Sequence, residues 1–474
     1  MPQIFTYQTR IENHPELDAY AALYGKIERT LFADIMSGKK AVSLKSEYLK
    51  RFNIPARMFN SIRIGLEGKI RSIKELQKDR VTELQTRIKK AEKVIKRLQK
   101  KGESNQVHQK KRRLSILIGK LENLLDDISA GKVSIAFGSK KLWRKQFNLE
   151  KNGYDSHEQW LTDWRSARNT EIYIVGSEDE TSGCQLCTAS IGEQGINLRV
   201  RLPDTIISSN KYLNIEGINF KYGQENILSA IDNNLQYNGI KKRLNDKSAR
   251  ASGYGQAITY RFKRDSKGWK VFVSTEVQRT EVVTNKAYGA IGVDINADHL
   301  ACTETDRFGN PINSWSVPLH TYGKTTDQAS AIIGDAVNTI TDHAQEQRKP
   351  VVIEKLDFRK KKAELEKESR RMSRMLSSLN YSKTKTMLKA SAYRKGVVVN
   401  QVNPAYSSVI GRVKYAKRYG MTVHQAAALV LAQRILGISE RLPKHREAPD
   451  GKGNYVTFCI SERNRMKHVW SLWA

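Results

Sequence analysis

Gly289-Ala-Ile-Gly-Val-Asp294 and Val351-Val-Ile-Glu354 are two apolar runs, each closed by a carboxylate. Short apolar runs bounded by turn residues suit strands covered on both faces. Working outward, Leu300-Ala-Cys-Thr-Glu-Thr305 and Ile312-Asn-Ser-Trp-Ser-Val317 flank a polar turn at 306–311, and complete a three-strand meander with the first run. Apolar spacing predicts a helix over about 326–346, just ahead of the second run. A basic helix starts near Arg359, and a strand at 396–400, a loop and a helix over 423–436 follow.

Three antiparallel strands, a helix, a strand and further helices form the element order of the RNase H-like fold. A carboxylate at the end of an apolar strand is costly to desolvate unless something neutralises it. Nucleases of this fold use such acids, distant in sequence but adjacent in space, to hold two divalent metals roughly 3.5–4 Å apart. Asp294 and Glu354 are the candidate ligands. Asp298 and Asp357 lie near them at turns and read as local.

The rest of the chain is strongly basic. Its 474 residues carry 82 Lys and Arg against 49 Asp and Glu, a net charge of +33. Such self-repulsion is tolerable when a polyanion neutralises it, which points to nucleic acid and away from small-metabolite enzymes. Four cysteines are too few for a disulfide scaffold, so a reducing compartment is expected. No apolar run reaches the 18 residues a membrane span needs, and the first ten residues lack a signal core.

Residues 3–10 read as a strand and 17–36 as a helix. Residues 62–128 read as a helical hairpin broken near Gly102. Between Arg87 and Arg113 stand twelve Lys or Arg and two Glu, a net of +10. Lys89, Lys90, Lys93, Arg97, Lys110, Lys111, Arg112 and Arg113 are the candidate phosphate contacts, since displaced counterions would drive their binding. Lys140, Lys141 and Arg144 interleave with Phe137, Trp143 and Phe147, which fits either base stacking beside a phosphate backbone or an amphipathic helix with aromatic core contacts. From 196 to 278 the pattern turns to strands. The hairpin Ala257-Ile-Thr-Tyr-Arg-Phe262 with Trp269-Lys-Val-Phe-Val-Ser274 predicts a small β-barrel or sheet that residues 3–10 join.

Gly292-Val-Asp-Ile-Asn-Ala-Asp-His-Leu-Ala301 resembles the first RuvC motif of the transposon-encoded TnpB family, relatives of the type V CRISPR effectors. Ile353-Glu354-Lys-Leu-Asp357, followed by a basic helix, resembles the second motif. Val423-His-Gln-Ala-Ala-Ala428 stands where the third, Asp-x-x-Ala-Ala, is expected. Phe137-Gly-Ser-Lys-Lys-Leu142 and Asn403-Pro-Ala-Tyr406 suggest a divergent subgroup. The resemblance implies a multidomain α+β protein. Its parts would be a wedge strand (1–12), a helical recognition domain (13–180), a wedge β-barrel (181–285) and a RuvC-like nuclease domain (286–474).

The implied activity is RNA-guided DNA endonuclease cleavage, with a guide RNA and target double-stranded DNA as partners. It would use Mg²⁺ or Mn²⁺, in a nucleoid-associated setting in a bacterial cytoplasm. Arg359, Lys360, Arg370 and Arg371, just after Glu354, would guide a strand over the cleft. Two departures stand out. The family's zinc ribbon is missing, since no cysteine lies between Glu354 and His424 and the insertion near 400–420 takes its place. The lone Cys184-Gln-Leu-Cys187 has no second pair, so no structural zinc is expected. His424 replaces the third acid, either as an imidazole metal ligand or as a mark of a disabled site. The alternatives are therefore a nuclease-inactive RNA-guided DNA binder acting as a transcriptional repressor, and a DNA-joining transposase.

Overall fold

The computed structural model describes residues 3–207, 210–244, 255–355, 381–438, 445–449 and 455–459. The chain divides into two compact units, Met1–Gln278 and Arg279–Ala474. No helix among the described residues is long and apolar enough to cross a membrane.

The first unit begins with β1 (Gln3–Arg10) and then runs through α1 (Pro15–Met36), α2 (Lys45–Phe52), α3 (Ala56–Lys100), α4 (Ser104–Ser129), α5 (Lys140–Lys145) and α6 (His157–Ala167). It continues with β2 (Glu171–Ile174), β3 (Cys187–Gly192), β4 (Gly195–Arg201), β5 (Tyr212–Ile218), α7 (Gln224–Leu244), β6 (Ile258–Asp265) and β7 (Gly268–Val277). The β6–β7 hairpin turns at Gly268, whose φ of +106° an L side chain resists. The Asp265 carboxylate accepts the Lys267 amide there. Residues 3–10 do join this hairpin, with Gln3 opposite Val277 and Arg10 opposite Lys270.

The expected barrel is not formed. Among the described residues the strands make two open sheets, one in the order β1-β7-β6-β2 and one in the order β3-β4-β5. Closure would require β1 and β2 to find further partners, and β2 is only four residues long. The apolar faces are sealed by helices instead. Leu17, Tyr20, Tyr24 and Ile27 of α1 share one core with Ile172, Tyr260, Phe262 and Val271 of the first sheet, Leu198 and Val200 of the second, and Ile227 of α7. Alternation along a strand states which face is buried, but it does not state whether a helix or another strand buries it.

The start of α3 is anchored in that core through Met58, Phe59, Ile62 and Leu66. The remainder pairs with α4, where Leu84, Ile95 and Leu98 of α3 and Leu117 of α4 are buried. The turn between them places Gly102 at φ +74°.

The second unit contains β8 (Ile291–Ile295), β9 (His299–Thr305), β10 (Pro311–Pro318), α8 (Thr326–Glu346), β11 (Val351–Glu354), α9 (Tyr381–Arg394), β12 (Val399–Val402), α10 (Val423–Ile435) and an antiparallel ribbon of β13 (His445–Pro449) and β14 (Tyr455–Cys459). Five strands make one sheet in the order β10-β9-β8-β11-β12. The meander β8-β9-β10 is antiparallel, and β11 runs parallel to both β8 and β12.

Residue parity sorts the two faces. Ile291, Val293, Val351 and Ile353 meet Ile333, Val337 and Ile340 of α8 and Leu388 of α9. Val352 meets Leu431 and Ala432 of α10 on the other face. Gly292 makes that second contact possible, since a Cβ there would lie 1.8 Å from the Ala428 carbonyl oxygen. α10 starts where its sequence says it should. Thr422 and Gln425 form a reciprocal capping box, and Gly420 at φ +64° ends the helical run before it.

Candidate functional site

Asp294 is the penultimate residue of β8 and Glu354 the last of β11. The parallel register pairs Ile353 with Val293, so the two acids stand level on neighbouring strands. They share the parity of Gly292 and Val352 and therefore face α10. Both are buried, at 9 % and 7 % exposure. His424 is the second residue of α10, which Gly292 lets lie close on the sheet, and Thr303 on β9 fixes the helix start by donating to the Gln425 carbonyl (2.8 Å). His424 Nδ1 lies 3.0 Å from Asp294 Oδ2. With Nδ1–H donating to the carboxylate, Nε2 keeps the free lone pair of the neutral ring.

Two further residues complete the cluster. Asn296 Nδ2 donates to Asp294 Oδ2 (3.1 Å) and lies 3.4 Å from His299 Nε2. His299 Nδ1 donates to Asp298 Oδ1 at 2.7 Å, and that hydrogen bond is the main cause holding the Asp298 carboxyl below its usual range. The His299 and His424 rings meet edge to face at 5.2 Å. An imidazole oriented by a carboxylate beside a strand-end acid has the form of a proton-transfer group. Sequence reading missed His299 and treated Asp298 as local. The available signal was the short 296–298 turn, which brings the first residue of β9 back beside the end of β8.

The donor chemistry suits a hard divalent cation: two carboxylates and an imidazole, the acids desolvated on apolar strands. The side chains are not drawn together on one point. Among the described residues no three His, Cys, Asp or Glu side chains are grouped to hold a metal ion. Cys184 and Cys187 are free thiols in the core of the first unit, and burial pushes Cys184 up to about 12.

The basic candidates fall into three sets. Lys89, Lys93 and Arg97 on α3 and Lys111, Arg112 and Arg113 on α4 are exposed near the closed end of the hairpin, with Lys90 and Lys110 half-buried beside them. Lys140, Lys141 and Arg144 are exposed on α5. Arg359, Lys360, Arg370 and Arg371, with Asp357, lie outside the described residues.

No protein-family model matches the chain, and no curated protein matches it in sequence. Solved structures overlap it distantly, three of them as follows. T. thermophilus RuvC in complex with a Holliday junction substrate is 14% identical with a TM-score of 0.22, covering 30% of this chain and 88% of that one. A Cas12i(E894A)–crRNA–dsDNA complex is 10% identical at a TM-score of 0.24, covering 74% of this chain and 57% of that one. A CRISPR–Cas12f ternary complex is 12% identical at 0.19, covering 91% and 98%. Overlaps at these scores establish neither family nor activity.

Proposed function

We propose that the chain is an RNA-guided DNA endonuclease of the TnpB type, cutting phosphodiesters at a site built from Asp294, Glu354 and His424. The observation that carries this reading is the level placement of two buried strand-end carboxylates on one sheet face, under the helix start that gives His424 to Asp294. Asp294 and Glu354 would hold Mg²⁺ or Mn²⁺ through carboxylate oxygens, with His424 Nε2 as the third donor. A cation bound there supplies Lewis-acid activation of water and phosphate. The chain's own part is to aim His424 through Asp294, to restrain Asp294 through Asn296, and to offer His299 as a nearby proton carrier. The basic residues of α3, α4 and α5 would follow the phosphates of guide and target, while base pairing supplies sequence recognition.

The test is cleavage of a target plasmid by protein purified with its co-expressed RNA. Asp294→Ala and Glu354→Ala are expected to abolish cutting and leave guided binding near the wild-type level. Equal loss of both would make these acids structural and end the nuclease reading.

A second reading is favoured by one observation. Asp294 is already satisfied by His424 and Asn296, and no three-ligand group is assembled among the described residues. On that reading the protein is a guided DNA binder that does not cut. His424→Asp separates the two: a silent wild type that gains cleavage with Asp is the binder.

A further inference from the structure

We propose that the 139–168 segment is a stacking platform for the unpaired bases of a single-stranded nucleic acid. Trp143 and Phe147 would form the platform, and Lys140, Lys141 and Arg144 the phosphate contacts. The proposal rests on the nucleic-acid-binding part of the function above and assigns one ligand form to one surface.

The sequence left open whether these aromatics are core or surface, and the structure separates them. Phe137 packs on Phe32 against the main core, with ring centroids 5.5 Å apart. Tyr154, Trp160 and Trp164 form a small core of their own, with Leu142, Leu149 and Leu161 against it. Trp143 and Phe147 stay in solvent, at 44% and 69% exposure.

Trp143 is exposed yet fixed. Its ring meets Trp160 at 6.0 Å and Trp164 at 5.3 Å, both inclined, while those two stack on each other at 11°. Trp160 Nε1 donates to the Leu142 carbonyl (2.9 Å), tying α5 to α6. A ring held this way loses little freedom when a base settles on it, which is the condition for tight stacking.

The charge around it selects the partner. Residues 140–147 contain four cations and no acid. Lys140, Lys141 and Arg144 are exposed, and none pairs with a carboxylate among the described residues. Flat aromatic faces beside unpaired cations match a base next to its phosphate. An aliphatic protein partner would have no use for the cations.

The test is fluorescence anisotropy of the full chain with labelled unstructured 12-mers, oligo(rU) and oligo(dT), and with a duplex of equal length. Trp143→Ala and Phe147→Ala are each expected to weaken single-strand binding by roughly 5- to 100-fold, with the salt dependence unchanged. Trp143→Phe should restore most of the Trp143 loss. Lys140→Ala with Lys141→Ala should lower the salt slope by about 1.4. Loss on rU alone or dT alone names RNA or DNA as the ligand, and either supports the platform. Phe147 is too exposed for its removal to unfold the protein, so Phe147→Ala binding both single strands like wild type overturns the proposal. Equal loss on the duplex, or loss only of a labelled poly-glutamate peptide, also overturns it. If the wild-type chain binds none of the nucleic acids, the proposed function fails as well. If it binds them and the variants are indistinguishable, only the platform fails.

Discussion

Glu304 and Asp294 stand on neighbouring strands of one sheet, and each touches a histidine. Glu304 lies opposite Ile291 at the start of β8, facing α8, whereas Asp294 lies near the end of the same strand and faces α10. Glu304 receives His343 Nε2 at 2.8 Å and Lys349 Nζ at 2.5 Å, with both Glu304 and Lys349 buried. Burial alone would push the Glu304 carboxyl up, and the hydrogen bonds from Lys349 and His343 outweigh it and hold the group below its ordinary range. Among the described residues Asp294 has a histidine and an amide but no lysine or arginine as hydrogen-bond or ion-pair partner. Its histidine is half open to solvent, at 49% side-chain exposure, where Lys349 is 7% exposed. One end of the sheet has its charge neutralised internally and sealed. The other keeps a carboxylate, level with a second one, behind an exposed imidazole. On the proposed function, that difference would separate a group that holds the fold from one left available to a ligand.

The largest expected effect tests the sealed end. Lys349→Ala leaves a buried carboxylate unneutralised and is predicted to cost about 3–5 kcal/mol in denaturant unfolding. Lys349→Met combined with Glu304→Gln should recover most of that loss. Asp294→Asn, by contrast, is expected to leave stability nearly unchanged. If Asp294→Asn destabilises as much as Lys349→Ala, both carboxylates serve the fold and the two ends are alike.

A smaller effect sharpens the packing that sets the open end. Gly292→Ala drives a Cβ into the Ala428 carbonyl and is predicted to cost about 1–3 kcal/mol. Because the collision lies under α10, it should also move His424 away from Asp294 and lower activity beyond the stability loss. Retained activity with lost stability would show that the helix position is not critical to the site.

The smallest effect concerns pH. A depressed carboxyl value means that stability is fully present above the unfolded value, near pH ~4.3, and is lost as pH falls through the lowered folded value. The melting-temperature gap between wild type and Lys349→Met/Glu304→Gln should therefore be flat from pH 5 to 7. Below about pH 4 it should shift against the wild type. A gap that does not change on acidification would mean that Glu304 is not ionised in the folded protein.

Much of the second unit was legible because its signals are local. Apolar runs ending in Asp294 and Glu354 marked two strands, and the Thr422–Gln425 capping pair explains why α10 begins beside them. What the linear pattern does not carry is how separate elements meet. The strands of the first unit alternate as a barrel would, yet α1 supplies the cover that closure would have given. His299 became visible only once the 296–298 turn had placed it beside Asp294. Trp143 and Phe147 could not be told from core residues, because their exposure depends on Trp160 and Trp164 filling the small core first.

The role proposed for Asp294, Glu354 and His424 is to act on a phosphodiester and not to serve the fold. It is tested most directly by cleavage of a guide-matched plasmid in Mn²⁺ and Mg²⁺ by wild type, Asp294→Ala, His424→Ala and His424→Asp, with guided binding measured on the same samples. Expected are cutting by the wild type, loss by orders of magnitude in both Ala variants, retained or higher cutting with a shift toward Mg²⁺ in His424→Asp, and binding unchanged throughout. Wild-type cutting that survives in both Ala variants would contradict it.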